Sequence, residues 1–167
     1  LTADSIVLVD CSDHGFRGEH AVKFEDTIVE CATAFCKRMT EDYQPLTMIA
    51  YSNERTEITG AAPVDFPAFY DTLARIRFGG DLSLASAIKL ENTRLGNLGS
   101  LVIISQSPSD DLYEVLVTLA ESDCRILEND VADDRIIRMF GEFTMRGIHA
   151  LALYPGEDIS LRLGGAE

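Results

Sequence analysis

Short apolar runs separated by helical stripes set the pattern of this chain. Ile6-Val7-Leu8-Val9 is a buried-strand run that ends at Asp10 and passes into the turn-rich stretch Ser12-Asp13-His14-Gly15. From Phe24 the apolar positions fall at Ile28, Cys31, Phe35 and Met39, a spacing that only a helix gathers onto one face. Residues 46–51 form a second strand run. Ser52-Asn53 reads as the turn into a third strand over residues 55–60, polar and weakly alternating, hence an antiparallel strand at a sheet edge. Pro63 and Pro67 lead into a helix over 68–76, Phe78-Gly79-Gly80-Asp81 is a tight turn, and a helix follows over 82–90. Leu101-Val102-Ile103-Ile104 is the most strand-like run and ends in a polar loop beginning Ser105-Gln106. Further helices over 112–119 and 134–145, a weak strand over 125–127 and a clear strand over 148–154 complete the pattern.

Strands alternating with helices predict an α/β fold: a doubly wound, mostly parallel central sheet of about six strands, with one antiparallel edge strand and helices on both faces. With 167 residues and no repeat or linker, residues 1–167 read as a single domain. The chain opens at Leu1 and enters its first strand within a few residues, so we read it as a domain excised from a longer protein, any membrane anchor lying upstream.

Charge narrows the partners. Fourteen Lys plus Arg stand against 28 Asp plus Glu, a formal net charge of −14. Such a surface repels nucleic acid and anionic lipid at long range. It suits a cationic partner, divalent ions, or simply solubility, a solvated acidic face being the plainest reading. No run approaches the roughly 20 apolar residues of a membrane span. Cys11, Cys31, Cys36 and Cys124 form no CxxC pair and read as free thiols in a reducing compartment.

In an open α/β sheet, ligands bind beyond the carboxyl ends of the strands where strand order reverses. The strands ending at Asp10 and Ile104 are the most hydrophobic and therefore central, so Asp10, Ser12, His14, Ser105, Gln106 and Asp81 are expected around one crevice. A hard cation such as Mg²⁺ takes about six oxygen ligands. Asp10, Ser12 and Asp81 are the candidate metal ligands. His14 is a softer nitrogen donor, and Gln106 offers a neutral carbonyl. His14, Ser105 and Gln106 are candidate crevice or partner-binding residues. His14 and His20 with Asp10 would make a transition-metal site, although a histidine is more often a plain surface residue. Cys11 alternates away from Asp10 and Ser12 and is expected to be packed. No G-x-S-x-G elbow, P-loop or G-x-G-x-x-G is present.

The order of these motifs resembles a von Willebrand factor A domain over nearly the whole chain. That family carries a metal-ion-dependent adhesion site made of D-x-S-x-S after the first strand, a Thr in a Gly-Gly-Thr turn, and an Asp after the fourth strand. Here Asp10-Cys11-Ser12 matches the start of the first motif, with His14 in place of its last Ser. Phe78-Gly79-Gly80-Asp81 matches the second with Asp81 where Thr belongs, and Ile103-Ile104-Ser105-Gln106 the third with Gln106 replacing the acid. The resemblance implies a degenerate metal site. Residues 69–76, the strand at Leu101 and residues 148–158 are similar to a narrower group of bacterial and archaeal proteins, in which a membrane anchor precedes an A-like domain encoded beside an AAA+ ATPase. That similarity implies a non-catalytic interaction module at the cytoplasmic face of a membrane, partnered by such an ATPase. The alternative is a Mg-dependent aspartyl-nucleophile phosphohydrolase of the haloacid dehalogenase type. Asp10, Ser105 and Asp133-Asp134 fit that scheme, but Ser12 stands where it needs a general-acid Asp.

Overall fold

The computed structural model describes residues 5–91, 100–105, 114, 124–126 and 149–155. Strands β1 (Ser5–Val9), β2 (Leu46–Tyr51), β3 (Arg55–Gly60), β4 (Ser100–Ser105), β5 (Cys124–Ile126) and β6 (His149–Pro155) are accompanied by helices α1 (Glu19–Glu41), α2 (Phe66–Arg75) and α3 (Leu84–Leu90). A single 3-10 turn, Pro63–Asp65, leads into α2. The architecture is α/β around a mixed sheet. Its four strands with described side chains lie in the order β3-β2-β1-β4, and the sheet continues through β6 to β5.

The apolar runs become strands whose two faces are both covered. Register sets Val7 beside Met48 and Val102, and Val9 beside Ala50 and Ile104, and this face holds the main core. Phe24, Ile28, Cys31, Phe35 and Met39 of α1 and Phe69 and Leu73 of α2 pack onto it. The helical stripe read from the sequence is thus the buried face of α1. The alternate positions Ile6, Leu8, Ile49, Leu101 and Ile103 are equally buried on the other face. A strand apolar on both faces belongs inside a sheet, which is where β1 and β4 lie. β3 is antiparallel to β2 at the edge, as its weak polar alternation predicts.

The sheet is less parallel than expected. β1 pairs in parallel with β2 and β4, but β6 runs antiparallel to both β4 and β5. An apolar run records burial, not direction, and direction follows from the connections. The helices expected over 112–119 (Glu114 apart) and 134–145 lie outside the described residues. Among the described residues, no helix is long and apolar enough to cross a membrane.

Candidate functional site

Strand order reverses at β1: the chain moves from β1 to β2 on one side and returns to β4 on the other. The carboxyl ends of β1 and β4 therefore open onto one crevice. The Asp10 amide donates to the Ile104 carbonyl at 3.0 Å and holds the two ends together. Asp10 itself is 2% exposed.

Four internal donors surround this carboxylate. Oδ1 accepts from the Ser12 amide at 3.1 Å and the Ser12 hydroxyl at 2.5 Å. Oδ2 accepts from His14 Nε2 at 2.7 Å and from the buried Ser105 hydroxyl at 2.6 Å. A carboxylate offers about four lone-pair sites, so Asp10 is saturated by its own chain. Burial pushes its pKa up, but the hydrogen bonds from His14, Ser105 and Ser12 outweigh it and leave the carboxyl below its ordinary value. The hydrogen bond to Asp10 raises His14 against the opposing effect of burial. When His14 is protonated the two form an ion pair with Asp10 buried.

The Gly79-Gly80 turn is docked against the segment that follows β1. Both Gly79 and Gly80 amides donate to the Cys11 carbonyl, at 3.0 and 3.1 Å, and the Asp13 amide donates to the Gly80 carbonyl at 3.2 Å. Ser12 and Gly80 form an isolated parallel bridge. Gly79 sits at φ 86°, a conformation glycine adopts without strain. At Gly80 a Cβ would lie 2.9 Å from the Ser52 carbonyl oxygen, so the turn after β2 closes the third side. Asp81 follows at once but is exposed, and the partners of Asp10 are Ser12, His14 and Ser105 instead.

The sequence-predicted residues thus divide. Asp10, Ser12, His14 and Ser105 are brought together, Asp81 is near along the backbone with its side chain exposed, and Gln106 lies outside the described residues. His20 is exposed in the first turn of α1. Among the described residues no three His, Cys, Asp or Glu side chains converge as metal ligands. The donor set does not fit a hard divalent cation as it stands: its one buried carboxylate is saturated and faces an imidazole held toward its cationic form.

The cluster is also not a nucleophilic relay. Ser12 Oγ lies 3.2 Å from His14 Nε2, the same nitrogen that meets Asp10, whereas a Ser-His-Asp relay uses both ring nitrogens. Cys11 is buried in the core, and desolvation first, then the charges of Asp10 and Glu25, push its thiol up to about 12. Such a thiol is inert at neutral pH. The hollow beside His14 is about 100 Å³, below the roughly 300–1,000 Å³ of small-molecule sites.

Two features had no clear sequence signal. His14, Phe24 and Phe78 form an aromatic chain, with ring centroids 5.0 Å apart for the first pair and 6.0 Å for the second. The second is a buried Glu91 at the end of α3, which accepts from the Tyr51 hydroxyl and, at 2.7 Å, from Arg55 Nε. It ties the β2–β3 hairpin to α3 beside the Ser52 turn. The hydrogen bonds to Glu91 and Glu57 push the Arg55 pKa up. Only the residue types were legible, because the partners are 36 and 40 positions apart.

No family pattern matches the chain, and no curated protein does.

Proposed function

We propose that this domain is a non-catalytic protein–protein interaction module of the von Willebrand A kind, doubly wound, with a degenerate metal site that His14 has closed. The observation that carries the reading is the saturation of Asp10. A nucleophilic aspartate needs a free oxygen facing substrate, and a metal-ligating one needs a free lone pair facing the ion. Here both oxygens are taken by Ser12, His14 and Ser105. This weighs against the phosphohydrolase scheme on the residues themselves. What remains at the crevice is a mixed polar and aromatic surface on loops tied together by backbone hydrogen bonds, which leaves contact with another protein as the reading. The motif resemblance extends the proposal to an AAA+ ATPase partner in a membrane-associated assembly, the domain lying at the cytoplasmic face.

The test combines turnover, capture and one substitution. The wild-type domain is expected to release no phosphate from a generic phosphate ester with Mg²⁺ and to capture the AAA+ ATPase from the source cell. Turnover that vanished in Asp10→Asn would sink the module reading. His14→Ser restores the D-x-S-x-S spacing and vacates one of the two acceptor positions of Asp10 Oδ2, the other staying with Ser105. It should gain a Mn²⁺-dependent rise in melting temperature of about 2–4 °C at ligand well above its dissociation constant, through binding to the folded state alone. An insensitive, well-folded His14→Ser would show that His14 is not what closes the site.

A further inference from the structure

Along the side of the molecule that α1 and α2 share runs a groove of about 650 Å³. Its floor is apolar: Leu73 is buried, and Val29, Ile76 and Phe78 pack against the core from partly buried positions. Tyr70 stands at one wall, 58% exposed. The small side chains Thr33, Ala34 and Ala74 leave the space between the helices open. The α1 side carries Glu25, Asp26 and Glu30, and among the described residues neither Lys nor Arg lines the groove.

We propose that this groove is the docking site for a basic amphipathic helix of a partner protein. Its apolar face would seat on Val29, Leu73, Ile76 and Phe78, and its Lys or Arg residues would meet the carboxylates of Glu25 and Asp26. Helix-in-groove recognition needs an apolar trough wide enough for side chains spaced at i, i+3 and i+4, and charge on the rim sets which helix enters. The rim here has one sign, and the chain as a whole carries −14. That disfavours a second copy of this chain and draws in a cationic segment. Phe78 and Glu25 also line the hollow beside His14, so the groove adjoins the crevice across these two side chains. The inference rests on the reading of the domain as a protein-binding module.

A fluorescein-labelled synthetic helix of about 16 residues, with Leu at helical spacing and Lys on its flanks, is the probe, and a twin with Glu for Lys is its control. Fluorescence anisotropy is expected to show saturable binding of the Lys peptide and none of the Glu peptide. Glu25→Lys with Asp26→Lys should weaken binding by about tenfold or more. Ala34→Gln, an exposed position where a longer side chain enters the groove, should weaken it too. The charge-matched pair Glu19→Lys with Glu41→Lys, on α1 outside the groove, should change it by less than about twofold at physiological salt. Circular dichroism checks that each variant is folded. Equal weakening by the two charge pairs would mean diffuse attraction and overturn the groove. So would concentration-dependent self-association abolished by Ala34→Gln, which would make a second copy the occupant. A natural partner captured equally by wild type and the groove variants would overturn the groove while leaving the module reading intact.

Discussion

Asp10 is a charge that water cannot reach, kept ionised by its neighbours. Three of the four hydrogen bonds it accepts come from Ser12 and His14 on its own loop, and the fourth comes from Ser105 at the end of the adjoining strand. The His14 pKa is raised, so its contribution to stability is full below its unfolded value near 6.5 and is lost as pH climbs through the folded value. The Asp10 pKa is lowered, so its contribution is present above about 3.9 and is lost as pH falls through the folded value. Melting temperature followed from pH 5 to 9 should therefore decline on the alkaline side. His14→Gln, which holds a hydrogen bond but no titrating charge, should flatten that decline; an unchanged slope would place its origin elsewhere. At this scale the sequence was half legible. Asp10 and Ser12 announced themselves by ending a buried strand. His14 read as a poor magnesium ligand, but its role as the counter-charge depends on the fold of a loop that contains Gly15 and Gly18.

The elements that were easiest to read are those whose burial is continuous. β1, β4 and the stripe of α1 follow from apolar spacing alone, and Asp10 and Ser105 meet because β1 and β4 are register neighbours. The direction of β6 was not legible, because its alternation is the same read either way. The Gly79-Gly80 turn was legible as a turn but not as a joint, since its partners are the Cys11 carbonyl and the Ser52 backbone. Gly80→Ala tests that joint. Its Cβ would meet the Ser52 oxygen at 2.9 Å, and backbone on both sides must shift. The expected loss is about 1–3 kcal/mol, the range for forcing atoms into a packed position, read as a lower urea midpoint with unchanged m-value. An unaffected midpoint would mean the Ser52 turn yields freely and does not brace the crevice.

Over the whole molecule the excess of 14 negative charges acts as a field. The surface ion pairs Arg17–Asp13 and Arg75–Asp71 are exposed and join residues four positions apart, so they offset little of it. Self-repulsion destabilises the compact state, and salt screens it with a Debye length near 10 Å at 0.1 M. Raising NaCl from about 20 to 300 mM should therefore raise the melting temperature by a few degrees, roughly what 1 kcal/mol produces in a domain of this size. Divalent cations separate two effects that would otherwise be confused. Mg²⁺ at matched ionic strength should add nothing beyond NaCl in the wild-type domain if Asp10 is closed by Ser12, His14 and Ser105. A larger, saturable rise with Mg²⁺ alone would mean that the ion displaces His14 and that the crevice still binds metal. At matched ionic strength the screening is held constant, so a rise that saturates with Mg²⁺ under that condition marks a site and not the field.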